Sequence, residues 1–219
     1  MGQSKIRASM TARILAEHPL CCYCGDMATT LDHVPSAQMF DYKHRPIGLE
    51  VPACKTCNEA TRNHEQVAAL IGRTTPDQND PRLQEHTRQI MRAVNNNFPG
   101  MLSEMSPSRN QLKKISRAGL PPGWGGFVFT PRVLNSVNAF CVKLGFALHW
   151  EATKLIMPPT GGVAIQWWTN YDALTNNLPT EVIKLFKEPV TLGQGRASVG
   201  EQFAFQSQTA DNGQVGLHY

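Results

Sequence analysis

The chain has 219 residues, 41% hydrophobic and 17% charged, so it is neither disordered nor a coiled coil, and it is long enough to bury a core. No apolar run approaches the about 18 residues of a membrane span. The N-terminal stretch Met1-Gly2-Gln3-Ser4-Lys5-Ile6-Arg7 has no apolar segment behind it, so we expect a cytoplasmic protein with no membrane partner. The net charge of +4 arises in the first half: residues 1–118 carry 15 Lys and Arg against 11 Asp and Glu, and residues 119–219 carry 6 of each. That bias is compatible with a polyanionic partner and is weak support for one.

Taken in chain order, residues 4–17 predict an amphipathic helix, with Ser4 as N-cap and Pro19 beyond its end. Residues 21–57 read as irregular, with β-like pieces at 29–34 and 49–53. A helix is predicted over 58–73, its apolar face made by Val67, Leu70 and Ile71. Asp80 and Pro81 open a second helix running to about Val94, which Asn95 to Asn97, Pro99 and Gly100 end. A polar, basic stretch follows, and Pro121-Pro122-Gly123 with Gly125-Gly126 predicts a boundary near residue 120. Beyond it lie a predicted strand at 127–130 and a helix at 131–151, whose stripe is Val133, Val137, Phe140, Cys141, Leu144 and Leu148. Alternation at Val163, Ile165 and Trp167 predicts a strand, and 180–187 a helix. Strands at 202–206 and 214–218 flank the turn Asp211-Asn212-Gly213. The class is α+β, divided into 1–75, a helical connector 76–119 and an α+β domain 120–219. That last part is a candidate surface for a homo-oligomer or a regulatory partner.

Five of the six cysteines fall between residues 21 and 57. Cys21-x-x-Cys24 and Cys54-x-x-Cys57 are matched pairs, each able to present two thiolates from one turn. Two such turns complete a closed tetrahedral shell for a structural Zn²⁺. Gly25 suits the first turn. Cys22 and His18 are expected outside the shell, and Cys141 reads as core.

Between the pairs stands Leu31-Asp32-His33-Val34-Pro35. The arrangement CYCG, LDHVP, VPACKTCN resembles the HNH (ββα-metal, His-Me finger) endonucleases in their four-cysteine form, over roughly residues 20–66. Within that family it is most similar to uncharacterised proteins with a DHVP and VPACxxCN signature. The resemblance implies a zinc-stapled ββα module that hydrolyses phosphodiesters in nucleic acid, DNA ahead of RNA. It also implies a phage, restriction or defence setting.

By that resemblance His33 is the general base, and Asp32 and Asn58 hold a catalytic Mg²⁺ or Mn²⁺. The chemistry suits the roles: a neutral imidazole accepts a water proton near pH 7, and hard carboxylate oxygens suit such ions. His64 is a further candidate on the same helix. The Asn that orients the base in the family falls here on Gly48 or Leu49, leaving a backbone carbonyl or His44 to replace it. Arg62, Arg88 and Arg92 are candidate phosphate contacts.

Each residue also has a plainer reading. Asn58 suits a helix cap, Asp32 a turn, His33 and His64 structural or solvated positions, and the arginines a face of local ion pairs. The alternative function is a non-catalytic zinc module that binds nucleic acid or a protein.

Overall fold

The computed structural model describes residues 3–45, 48–73, 80–117 and 126–168, then residue 172 and the segments 175–180, 190–191, 193–194, 197–198, 204–209 and 215–218. Helix α1 (Gln3–Glu17) stops two residues before Pro19. Strands β1 (Thr30–His33) and β2 (Glu50–Ala53) pair antiparallel, with Thr30 opposite Ala53 and His33 opposite Glu50. Pro52 sits in β2 without disrupting the ladder because a two-stranded sheet leaves one side of each strand unpaired. On that side the Pro52 carbonyl accepts the Cys22 N–H at 2.9 Å.

The helix predicted over 58–73 is two helices, α2 (Lys55–Ala60) and α3 (Arg62–Gly72). It starts earlier than expected because Cys54 is its N-cap, so Asn58 lies inside α2 and is no cap. Thr61 breaks the run at φ −106°, ψ 2°, and its hydroxyl donates to Glu65 Oε1 at 2.8 Å. A short polar side chain that finds a local partner competes with the helical backbone in this way.

Helix α4 (Pro81–Asn97) begins as expected, with Asp80 accepting the Arg82 N–H at 2.8 Å, and runs through the three asparagines. The connector expected to be helical over 76–119 continues after α4 with two short helices whose bounds the sequence does not predict, α5 (Met101–Met105) and α6 (Arg109–Arg117), the latter built from the basic stretch.

Residues 127–130 form no ladder. Val128 N–H donates to the Met105 carbonyl at 2.8 Å, and Thr130, in an extended conformation, then caps α7 (Pro131–Thr153). Val163, Ile165 and Trp167 alternate in burial without a strand partner among the described residues. This segment crosses α7 at Gly145, where an added Cβ would lie 2.6 Å from Val163 Cγ1. The short strands β3 (Val190–Thr191), β4 (Gly193–Gln194) and β5 (Ala197–Ser198) follow, and β6 (Ala204–Thr209) pairs antiparallel with β7 (Val215–His218). All of the helix predicted at 180–187 except residue 180, and the turn at 211–213, lie outside the described residues.

The expected boundary near residue 120 does not divide the core. Phe140, Cys141, Leu144, Ala147, Leu148 and Trp150 of α7 are buried together with Cys22, Val34, Phe40, Leu49 and Val51 from the cysteine-bearing part. The first turn of α7 contributes Val133 to a second cluster with α3, α4 and α5. Helix α7 is therefore the common support of both clusters, and it backs the β1–β2 hairpin.

Candidate functional site

The first cysteine pair sits on a tight turn. Gly25 N–H donates to the Cys21 carbonyl at 2.9 Å, and Gly25 takes φ +80°, a conformation glycine reaches without strain. The second pair sits at the start of α2, where Cys57 N–H donates to Cys54 Sγ at 3.4 Å. That donor holds the Cys54 thiol below its ordinary range, the direction that favours a thiolate ligand. The Sγ atoms of Cys21, Cys24, Cys54 and Cys57 all lie within 4.8 Å of one another, with Cys24 and Cys54 3.8 Å apart. A tetrahedral zinc with bonds of about 2.3 Å separates its sulfurs by about 3.8 Å, so the four thiols can hold a metal ion and their chemistry suits zinc.

Cys22 is outside this set. It is buried against Val34 and Phe40, and burial pushes its thiol well up. His18 is also outside, its ring edge-on to Trp150 at 5.0 Å.

The hairpin register then separates Asp32 from His33. Successive strand residues face opposite sides, so Asp32 points into the protein at 4% exposure while the His33 side chain stays 56% exposed. Asp32 meets a cation. Lys143 of α7 places Nζ 2.8 Å from Asp32 Oδ2, 2.7 Å from Glu65 Oε1 and 3.2 Å from the Asn58 carbonyl. Tyr23 donates to the same Asp32 oxygen at 2.9 Å, and Asn58 Nδ2 donates to the Leu31 carbonyl at 3.4 Å.

Three ammonium protons thus meet three oxygens inside the protein, the satisfied form of a buried ionic cluster. Burial works against the Lys143 charge, yet the two carboxylates outweigh it and hold its pKa above the ordinary 10.5. One ammonium serves two carboxylates, and burial together with Glu65 raises the Asp32 carboxyl above its usual range.

While the Asn58 side chain turns to Leu31, the Asp32 carboxylate and the main-chain carbonyl of Asn58 are therefore brought together around a lysine. Their oxygens have the hardness a divalent ion prefers, but the ammonium already fills the point they share. A Mg²⁺ or Mn²⁺ does not fit beside it without Lys143 moving.

On the other face, His33 Nδ1 lies 3.5 Å from Glu50 Oε1, and Arg45 Nη1 lies 3.7 Å from the same oxygen. His44 instead packs its ring against Tyr42.

His64 turns away from this group: its Nδ1 is 3.1 Å from Ser136 Oγ, and its ring lies against Phe98. Arg62 pairs with Glu59, and Arg88 and Arg92 both pair with Glu85, so the three candidate phosphate contacts already have acidic neighbours. Trp150 packs in the core and Trp167 against Phe129.

Glu50, Glu65, Arg45, Tyr23 and Lys143 were not anticipated. Two of them leave a trace in the sequence. Lys143 is the one lysine or arginine between Arg132 and Lys154 and interrupts the otherwise apolar run 139–148, and Glu50 opens the strand that must pair with the His33 strand.

No family model, curated protein or solved structure matches this chain. Its features are a mixed helical and antiparallel-sheet fold carrying a four-cysteine cluster. No helix among the described residues is long and apolar enough to cross a membrane.

Proposed function

We propose that the chain is a zinc-stapled endonuclease of the HNH kind that hydrolyses phosphodiester bonds in nucleic acid, DNA in the first instance. One observation carries the reading: the Asp32 carboxylate on β1 and the Asn58 main-chain carbonyl on α2 converge on the Lys143 ammonium, beside an exposed histidine at the end of the same strand. A bound zinc ties the start of α2 to the turn before β1 and so preserves that convergence. His33 takes the proton from the attacking water, and the Glu50 carboxylate stabilises the imidazolium that results. No step is assigned to a divalent ion, because Lys143 occupies its place.

That same lysine favours a second reading, a zinc module that binds nucleic acid or a protein without cutting. The test is incubation of zinc-loaded protein with plasmid DNA, single-stranded DNA and structured RNA, with and without Mg²⁺ or Mn²⁺. Cleavage that needs His33 supports the nuclease. Binding that is unchanged in His33→Ala, with no cleavage by either protein, supports the second reading.

A further inference from the structure

We infer that Arg45 and Glu50 are positioning residues that keep the proton of neutral His33 on Nδ1 and so present Nε2 as its basic nitrogen. The inference rests on His33 being the general base. It begins with the register. Glu50 stands directly opposite His33 across the β1–β2 ladder, so the two side chains emerge on the same face. Glu50 Oε1 lies 3.5 Å from Nδ1, and a carboxylate there can only accept, so its charge favours the tautomer whose proton is on Nδ1.

A glutamate on an exposed strand would ordinarily sample many rotamers, but this one is held. Its side chain is only 9% exposed, and Arg45, 6% exposed, sets Nη1 3.7 Å from the same oxygen.

Arg45 is fixed in turn by the loop it closes. Its Nε donates to the Pro35 carbonyl at 2.7 Å, and Nη2 donates to Val34 and Leu49 at 3.2 Å and also to Gly48. It thereby ties the chain leaving β1 to the chain entering β2. Leu49 is held at φ +51°, a conformation a leucine adopts only when its surroundings impose it. Burial lowers the Arg45 pKa to about 10, and the Glu50 carboxylate opposes that shift, so the guanidinium stays charged at neutral pH. The carbonyls position Arg45, Arg45 positions Glu50, and Glu50 sets the tautomer of His33.

The experiment is ¹⁵N–¹³C NMR of the His33 ring at mildly alkaline pH, in wild type, Glu50→Leu and Glu50→Gln, each shown to be folded and zinc-loaded. The expected result is the Nδ1–H form in wild type, its retention in Glu50→Gln, which keeps an acceptor oxygen, and reversion in Glu50→Leu to the Nε2–H form that free histidine prefers. Where wild type cleaves, Glu50→Leu is expected to lower kcat by about 10- to 100-fold with KM little changed, and Glu50→Gln to recover most of it. An Nε2–H ring in wild type, or one tautomer across all three proteins, would overturn the inference whatever the cleavage result. An Nδ1–H ring in a protein whose cleavage survives His33→Ala would leave the positioning standing and remove the catalytic role.

Discussion

Lys143→Met removes the ammonium from between Asp32 and Glu65 while keeping a chain of nearly the same length. All three side chains are at most about a tenth exposed, so solvent screens the loss little. Deleting one member of a buried ionic cluster and stranding the others costs about 3–5 kcal/mol. For a chain of this size each kcal/mol moves Tm by about 2–4 °C, so the variant should melt between about 6 and 20 °C below wild type. Circular dichroism melts of zinc-loaded proteins measure this.

The pH dependence has a definite sign. Lys143 is bound more tightly as ammonium in the folded state than in the unfolded one, so its contribution is complete below pH 10.5. It is lost as pH rises beyond that through the folded-state value, and the Tm gap between wild type and variant should narrow there. With the ammonium gone, Mn²⁺ at a hundred times its Kd should restore about 2.7 kcal/mol to the variant and leave wild type unmoved. A variant that melts within about 2 °C of wild type, or equal responses of the two proteins to Mn²⁺, would refute the account of this cluster.

Other consequences follow from the same packing. The folded chain should carry one zinc, and a strong chelator or Cys54→Ser should unfold the hairpin and its knuckle, since thiolate sites of this type contribute about 10–16 kcal/mol. Metal analysis and loss of near-ultraviolet dichroism check it. Gly145→Ala would stabilise an open helix by about 1 kcal/mol, but here its Cβ meets Val163 Cγ1 at 2.6 Å and should cost about 1–3 kcal/mol. The added change Val163→Ala should recover most of that loss, as read by urea denaturation.

What the sequence disclosed was local. The two C-x-x-C pairs, the β-like pieces beside them and the Asp80-Pro81 helix start each depend on a few neighbouring residues, and each is found where it was expected. Thr61 broke the 58–73 helix because its hydroxyl found Glu65, a contact within one turn that helical periodicity does not register. The basic stretch around Lys113 and Lys114 reads only as part of a helical connector, and it forms the separate helix α6. Arg88 and Arg92 of α4 turned out to pair with Glu85 on their own helix.

The candidate site was half visible for a different reason. Asp32, His33 and Asn58 lie in a compact motif, but what they touch does not. Lys143 reaches Glu65 across 78 residues and Asn58 across 85, and nothing near Lys143 in the sequence announces a partner so far away. Glu50 was hidden more shallowly. Once the register of β1 and β2 is known it stands opposite His33, but Leu31 and Pro52 share one face and Val51 and Ala53 the other, so the apolar pattern alone does not set that register.

The most direct test of the whole account is nicking of supercoiled plasmid DNA by wild type and His33→Ala, both zinc-loaded and matched by melting temperature. The account predicts nicking by wild type that disappears in the variant while the zinc content is unchanged. Equal nicking by the two proteins would show that His33 is not the base and that the hairpin is not the catalytic centre.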